Sequence, residues 1–108
     1  MVVTNSSVNY DILDPLSRRK ILCHEGSLMM VEVTFDKGGV GSVHTHPHEQ
    51  ITYVAKGAFV FTIEGVEHTV KQGDSLYFPS NAKHGCTALE DGILVDIFTP
   101  QREDFLKK

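Results

Sequence analysis

The sequence predicts an all-β fold organised as a single domain. Three observations lead there. Apolar residues alternate with others in short runs, clearest over residues 28–36, where Met29, Val31, Val33 and Phe35 share one side of the chain and Glu32 and Thr34 the other. Glycine-bearing turns separate these runs at close spacing. A helix signal occurs only at the C-terminal end. Short strands cut by glycine turns read as a β-sandwich or barrel.

Taken in order, residues 1–17 show no sustained period and carry Asp14-Pro15, so they read as an N-terminal arm or edge strand followed by a loop. Residues 18–24 begin basic and turn apolar, as a short edge strand would. The strand over 28–36 ends at Lys37-Gly38-Gly39. Residues 51–55 form the next strand, Lys56-Gly57 a tight turn, and residues 58–64 and 67–71 a hairpin about Gly65. Gln72-Gly73-Asp74 turns into a short strand over 75–78. Residues 79–82 are a loop, 84–89 a strand, and Glu90-Asp91-Gly92 a turn into a last strand over 93–99. Thr99 then suits a cap for a short helix over 100–106, with Pro100 first and Glu103 and Asp104 near its N-terminal end.

Composition narrows the function classes. The 108 residues are 41% apolar and 22% charged, the profile of a globular chain that builds one core. A net charge of -4 argues against nucleic acid as a partner. No run approaches the roughly 18 apolar residues of a membrane span. The N-terminus lacks a basic start followed by an apolar run, so the cytoplasm is the expected compartment. In that compartment Cys23 and Cys86 are expected as small buried thiols rather than a disulfide.

The chemistry concentrates between Gly38 and Gly57, where His44, His46, His48, Glu49 and Gln50 fall close together. On a strand, His44 and His46 leave the same face and make half of a transition-metal site. Glu49 would point away from Gln50, and Pro47 makes His48 a pocket-wall or surface residue. His24 and His68 match no pattern.

Two spaced patterns then meet: Gly38, His44-x-His46, Gln50 and Gly57, followed by Gly73, Pro79 and His84. Together they resemble the two sequence motifs of the cupin superfamily, over roughly residues 28–98. The resemblance implies a single-domain jelly-roll β-barrel with one divalent transition metal in its mouth, and the family's ligands fall on His44, His46, His84 and, in place of the usual Glu, Gln50. Nickel, zinc, manganese, iron and cobalt all accept such an imidazole-rich set. Asn81 stands where the second motif usually has Gly, and Ala88 where it has Asn. Three imidazoles and a neutral amide leave the ion its full charge, which favours a Lewis acid over an oxygenase iron.

A narrower likeness lies in HTHPHEQITYV and in HGCTALEDGILVDIFTPQREDFL. These segments are similar to the pectin-degradation cupins of the KdgF type, which help convert 4,5-unsaturated uronate monomers into a linear 5-keto form. The resemblance implies roles for Asp96, Phe98 and Arg102. Asp96 would be the general acid/base, Arg102 a two-pronged clamp on the uronate carboxylate, and Phe98, with Tyr53, pocket wall. The last strand is compatible: Leu94, Asp96 and Phe98 share one face, Ile93, Val95 and Ile97 the other. Apolar residues on both faces call for a cover, and a second subunit is the natural one, so a homodimer is expected. Two other readings stay open on the sequence: a non-catalytic sugar- or metabolite-binding cupin, and an iron-dependent cupin dioxygenase.

Overall fold

The structure, a computed structural model, describes residues 1–107. After a single 3-10 turn at Asn5–Ser7 come β1 (Asp11–Asp14), β2 (Ser17–Glu25), β3 (Leu28–Phe35), β4 (Val40–His44), β5 (Glu49–Lys56), β6 (Ala58–Ile63), β7 (Val66–Lys71), β8 (Ser75–Phe78), β9 (His84–Ala88) and β10 (Gly92–Thr99), then helix α1 (Glu103–Leu106). They form a six-stranded sheet, β1-β2-β3-β10-β5-β8, and a four-stranded sheet, β4-β9-β6-β7, antiparallel throughout. The all-β jelly roll is therefore as expected, built as two facing sheets rather than one closed barrel. No helix among the described residues is long and apolar enough to cross a membrane.

Alternation fixes which side chains meet between the sheets. Met29, Val31, Val33 and Phe35 of β3 point inward, as do Val54 of β5 and Leu94 and Phe98 of β10. Phe59 and Phe61 of β6 come from the opposing sheet, and Phe59 meets Phe35 edge-on with ring centroids 5.5 Å apart. Phe78 carries this core up to His84, with ring centroids 4.5 Å apart, and the polar groups of the interior gather there.

Three expectations are corrected. β2 is no edge strand. The Asp14 carboxylate accepts hydrogen bonds from the Leu16 backbone N–H at 2.8 Å and the Ser17 hydroxyl at 2.7 Å, which closes a hairpin and lays β1 outside β2. The C-terminal helix starts at Glu103, not residue 100, because Thr99 stays paired with Glu49 in the sheet and caps nothing. The cysteines are both free, yet only Cys86 is substantially buried; a register shift between Ile21 and His24 turns Cys23 to solvent.

Gly57 joins β5 to β6 with φ +83, and a Cβ there would stand 2.6 Å from the Asp91 carbonyl oxygen. Gly57→Ala is expected to cost at least about 2 kcal/mol, combining a left-handed backbone with a clash against backbone that has no room to retreat. Urea unfolding checks this; a loss under half that size would mean that the Asp91 turn moves aside.

Candidate metal centre and cavity

The site lies at the polar end of the sandwich, where β4, β5, β9 and β10 come together. His44 ends β4 and is the cross-strand partner of His84, which begins β9. His46 follows in the bend between β4 and β5, so strand alternation does not place it; the turn does. Ring centroids are 4.5 Å apart for His44–His84, 4.9 Å for His46–His84 and 5.5 Å for His44–His46. One nitrogen from each ring falls within 4.8 Å of the others.

Each ring is turned by a local hydrogen bond. The Nδ1 of His44 faces the Ser42 carbonyl at 2.7 Å, that of His46 the His48 carbonyl at 3.0 Å, and that of His84 the Ala82 carbonyl at 2.9 Å. A nitrogen facing a carbonyl must carry the proton, so all three Nε2 lone pairs are free for a cation. Burial, followed by the positive charge of Arg102, lowers the His46 pKa, and burial lowers that of His84 to about 4, keeping both rings in the neutral form that binds metal.

Two details test whether a metal fits this donor set. The Nε2 of His84 is buried with no hydrogen-bond partner. The Nε2 of His46 stands 2.9 Å from Oε1 of Gln50, whose own N–H donates to Thr52 Oγ1 at 2.9 Å. Two acceptor atoms thus face each other, an arrangement that repels unless a cation lies against both. The donors fit a divalent ion: His44, His46 and His84 would supply nitrogen and Gln50 oxygen.

A cavity of about 260 Å³ opens beside these donors, below the roughly 300–1,000 Å³ of drug-sized ligand sites and suited to one small metabolite. His44, Gln50 and His84 line it, and so do Asp96, Phe98 and Arg102. Phe98 stands edge-on to His46 with centroids 5.6 Å apart. Arg102 is buried beneath Phe98 and Phe105, its guanidinium carbon 5.2 and 4.1 Å from their ring centroids. Its Nε and Nη2 donate to Asp104 at 3.0 and 2.8 Å, so the fork expected for substrate is already engaged.

Tyr53 does not join them. On β5 the inward positions are Gln50, Thr52 and Val54, which leaves Tyr53 on the outer face, 46% exposed. The expectation that it walls the pocket is therefore corrected by the same alternation that seats Gln50. Glu49 also points outward and accepts from the Tyr77 hydroxyl at 2.6 Å. His48 lies off the metal cluster in a shallow groove with Gln101 and Asp104.

Residues 31–98 match the cupin domain family. The chain belongs to the cupins. It is 46% identical over 91 residues to the pectin degradation protein KdgF of Dickeya dadantii, covering 82% of this chain and 83% of that one. Among solved structures it superposes on KdgF from Halomonas sp. with a TM-score of 0.93 and 38% identity, covering 97% of each chain. An RmlC-like cupin from Shewanella frigidimarina matches with a TM-score of 0.92 and 36% identity, over 96% of this chain and 94% of that one. This cupin thus sits among the KdgF-type members of its family.

Sequence reasoning missed Thr52 and Phe105. Thr52 is fully buried, accepts from Gln50 and donates to Asp96 Oδ1 at 2.7 Å. It ties the amide of the metal-site residue to the carboxyl across the sheet. Its signal was visible: two residues beyond Gln50, it must share that residue's face. Phe105 gave none, because its place depends on where α1 begins.

Burial raises the pKa of Asp96 from 3.8 to about 6, even though hydrogen bonds from Thr52 and Gln50 and the charge of Arg102 pull it down. A carboxyl whose pKa rises on folding holds its proton more tightly in the folded state, so its contribution to stability fades as pH climbs from about 4 to 6. His84 acts oppositely, since its depressed pKa costs stability as pH falls through the same window. Comparing Asp96→Asn with wild type, both metal-free, cancels the histidines. The difference in unfolding free energy is expected to shift in the variant's favour by about 2–3 kcal/mol between pH 4 and pH 7. Urea titrations across that range measure it, and a pH-independent difference would show that Asp96 is not held by burial.

Proposed function

We propose that this cupin is an enzyme that opens and ketonises 4,5-unsaturated uronate monomers of the kind lyases release from pectin or alginate. The observation that supports it is a single cavity in which Asp96, Phe98 and Arg102 face the histidine donor set, in a chain akin to a pectin degradation protein.

The conversion is an isomerisation, and its atoms balance without oxidant or water. The proton on the C1 hydroxyl leaves, the bond from C1 to the ring oxygen breaks, and C1 becomes an aldehyde. The ring oxygen departs as the enolate at C5, C4 gains a proton, and C5 becomes a ketone. One proton therefore has to travel from O1 to C4. Asp96 takes that proton and returns it. Its pKa near 6 leaves both forms accessible near neutrality, as a group that must accept and then donate requires. Thr52 donates to Oδ1 and fixes the carboxyl in the cavity. Arg102, held by Asp104, turns its remaining N–H donors to the uronate carboxylate. Phe98 closes the wall beside His46 and keeps bulk water from the enolate. His44, His46, Gln50 and His84 would hold a divalent ion, which would supply Lewis acidity when bound.

Fresh unsaturated galacturonate mixed with metal-loaded protein is expected to lose its conjugated ultraviolet absorbance faster than it does alone. Asp96→Asn should lower kcat by about 10²–10⁴-fold while metal content by elemental analysis stays at the wild-type level. His84→Ala should lose the metal. No acceleration by the loaded wild type, or full activity in Asp96→Asn, overturns the reading.

The homodimer belongs to the same proposal. On the outer face of the six-stranded sheet, Met30, Ile97, Ile51 and Tyr77 are aligned by strand pairing into one apolar row. Met30, Ile51 and Tyr77 are each at least 36% exposed. A second copy covers this row. Ile51→Glu is expected to convert a dimer into a monomer in light scattering, with the wild-type circular dichroism spectrum; a monomeric wild type overturns the assignment.

A further inference from the structure

Arg102 reaches the cavity with two of its donors committed to Asp104, so a substrate carboxylate meets only part of its fork. A second guanidinium stands beside it. Arg19 lies on β2 opposite Val33, and because Val33 is buried between the sheets, cross-strand pairing turns Arg19 to the same inner face. Arg19 lines the cavity together with Asp96 and Arg102.

Phe105 brings the two arginines together. The Arg19 guanidinium carbon is 3.8 Å from the Phe105 ring centroid and that of Arg102 is 4.1 Å from it. Burial lowers the Arg19 pKa first, and the like charge of Arg102 lowers it further against the opposing pull of Asp11. Arg19 is ion-paired with Asp11, its Nε 3.8 Å from Oδ2, but that buried Nε makes no hydrogen bond. Arg102 by contrast is matched by Asp104. Two guanidiniums therefore stand at the wall of a cavity that also holds the Asp96 carboxyl, and Arg19 brings to it a buried donor outside any hydrogen bond. Such a donor suits an anion.

We propose that Arg19 is a substrate-binding residue which grips the uronate carboxylate jointly with Arg102, the two guanidiniums being gathered on the ring of Phe105. The proposal rests on the uronate reading above and adds a recognition residue from the opposite end of the chain. It also gives α1 a purpose: the short helix carries the ring that sets the spacing of the two cations. A neutral sugar of the same shape gains nothing from the pair, so the pair selects for uronates.

Steady-state kinetics on unsaturated galacturonate test it. Arg19→Met keeps the stem packed on Phe105 and removes the charge. It is expected to raise KM by about 10–100-fold with kcat within about threefold of wild type, the reverse of the Asp96→Asn pattern. Arg19→Lys keeps the charge and loses the fork, and should raise KM by about three- to tenfold. It also serves if Arg19→Met fails to fold. Wild-type KM within twofold in whichever variants fold would overturn the role of Arg19 and leave the uronate reaction standing. Calorimetric titration with saturated D-galacturonate and with D-galactose separates the two claims. Should the wild type bind galacturonate without turning over the unsaturated sugar, and Arg19→Met lose that binding, the reaction falls and the anion site stands. Neither turnover nor galacturonate binding by the wild type sinks both.

Discussion

The register between β5 and β10 is the constraint from which the site follows. In that ladder Asp96 lies opposite Thr52, and Phe98 opposite Gln50. All four face inward, so the pairing sets the carboxyl against the hydroxyl and the pocket wall against the amide. A slip of one residue would send Asp96 and Phe98 to the outer face and bring Ile97 inward, leaving the histidines with no chemistry beside them. Other pairings pin the register. β10 is hydrogen-bonded on its other edge to β3, whose buried row of Met29, Val31, Val33 and Phe35 tolerates only one phase of alternation. The apolar core thus does the positioning for the polar end.

Within that frame, short local bonds aim the metal donors. The three Nδ1–carbonyl contacts each span two residues, so every ring is oriented by its own neighbourhood rather than by another ring. Gln50 is aimed differently, through Thr52 and on to Asp96. The amide can present its oxygen to the histidines because its N–H is occupied on the other side. A glutamate at that position would have no N–H to give Thr52, and would set a second carboxylate close to Asp96. The glutamine therefore does two things: it leaves a bound ion its full charge, and it spares the carboxyl a like-charged neighbour.

Much of this was legible in the residues. Alternation gave β3 and the inward face of β10, and the glycine turns gave most strand limits to within a residue or two. Spacing and family resemblance together picked out His44, His46, Gln50 and His84, which the fold does bring together. What was not legible depended on tertiary pairing. β2 looked like an edge because its neighbour, β1, is four residues long and carries no clear period. Thr99 looked like a cap because nothing local reveals that Glu49 keeps it in the sheet. Tyr53 is the instructive case, since the period that places Gln50 inside also places Tyr53 outside.

Desolvation acts on this site with one hand and two signs. Burial pushes His46 down, pushes His84 down to about 4, and pushes Asp96 up to about 6. Both shifts favour the uncharged form: the two imidazoles are neutral at pH 7, while Asp96 is still mostly ionised there with its protonated form within reach. The lasting charges are the guanidiniums at the cavity wall, and these are always protonated. Arg102 repels protons from His46 and favours the ionised form of Asp96, so it helps to keep that imidazole's lone pair free and the carboxyl within reach of neutrality. A cation at the cavity wall thus helps set the acid/base balance beside it. On the uronate reading proposed above, a neutral ligand would leave Arg102 with Asp104 alone and would bring Asp96 no anionic centre to protonate. On that reading a uronate would bring its carboxylate to the guanidiniums and its enolate to Asp96, which would place the electrostatics of the cavity on the side of the transition state rather than of the free protein.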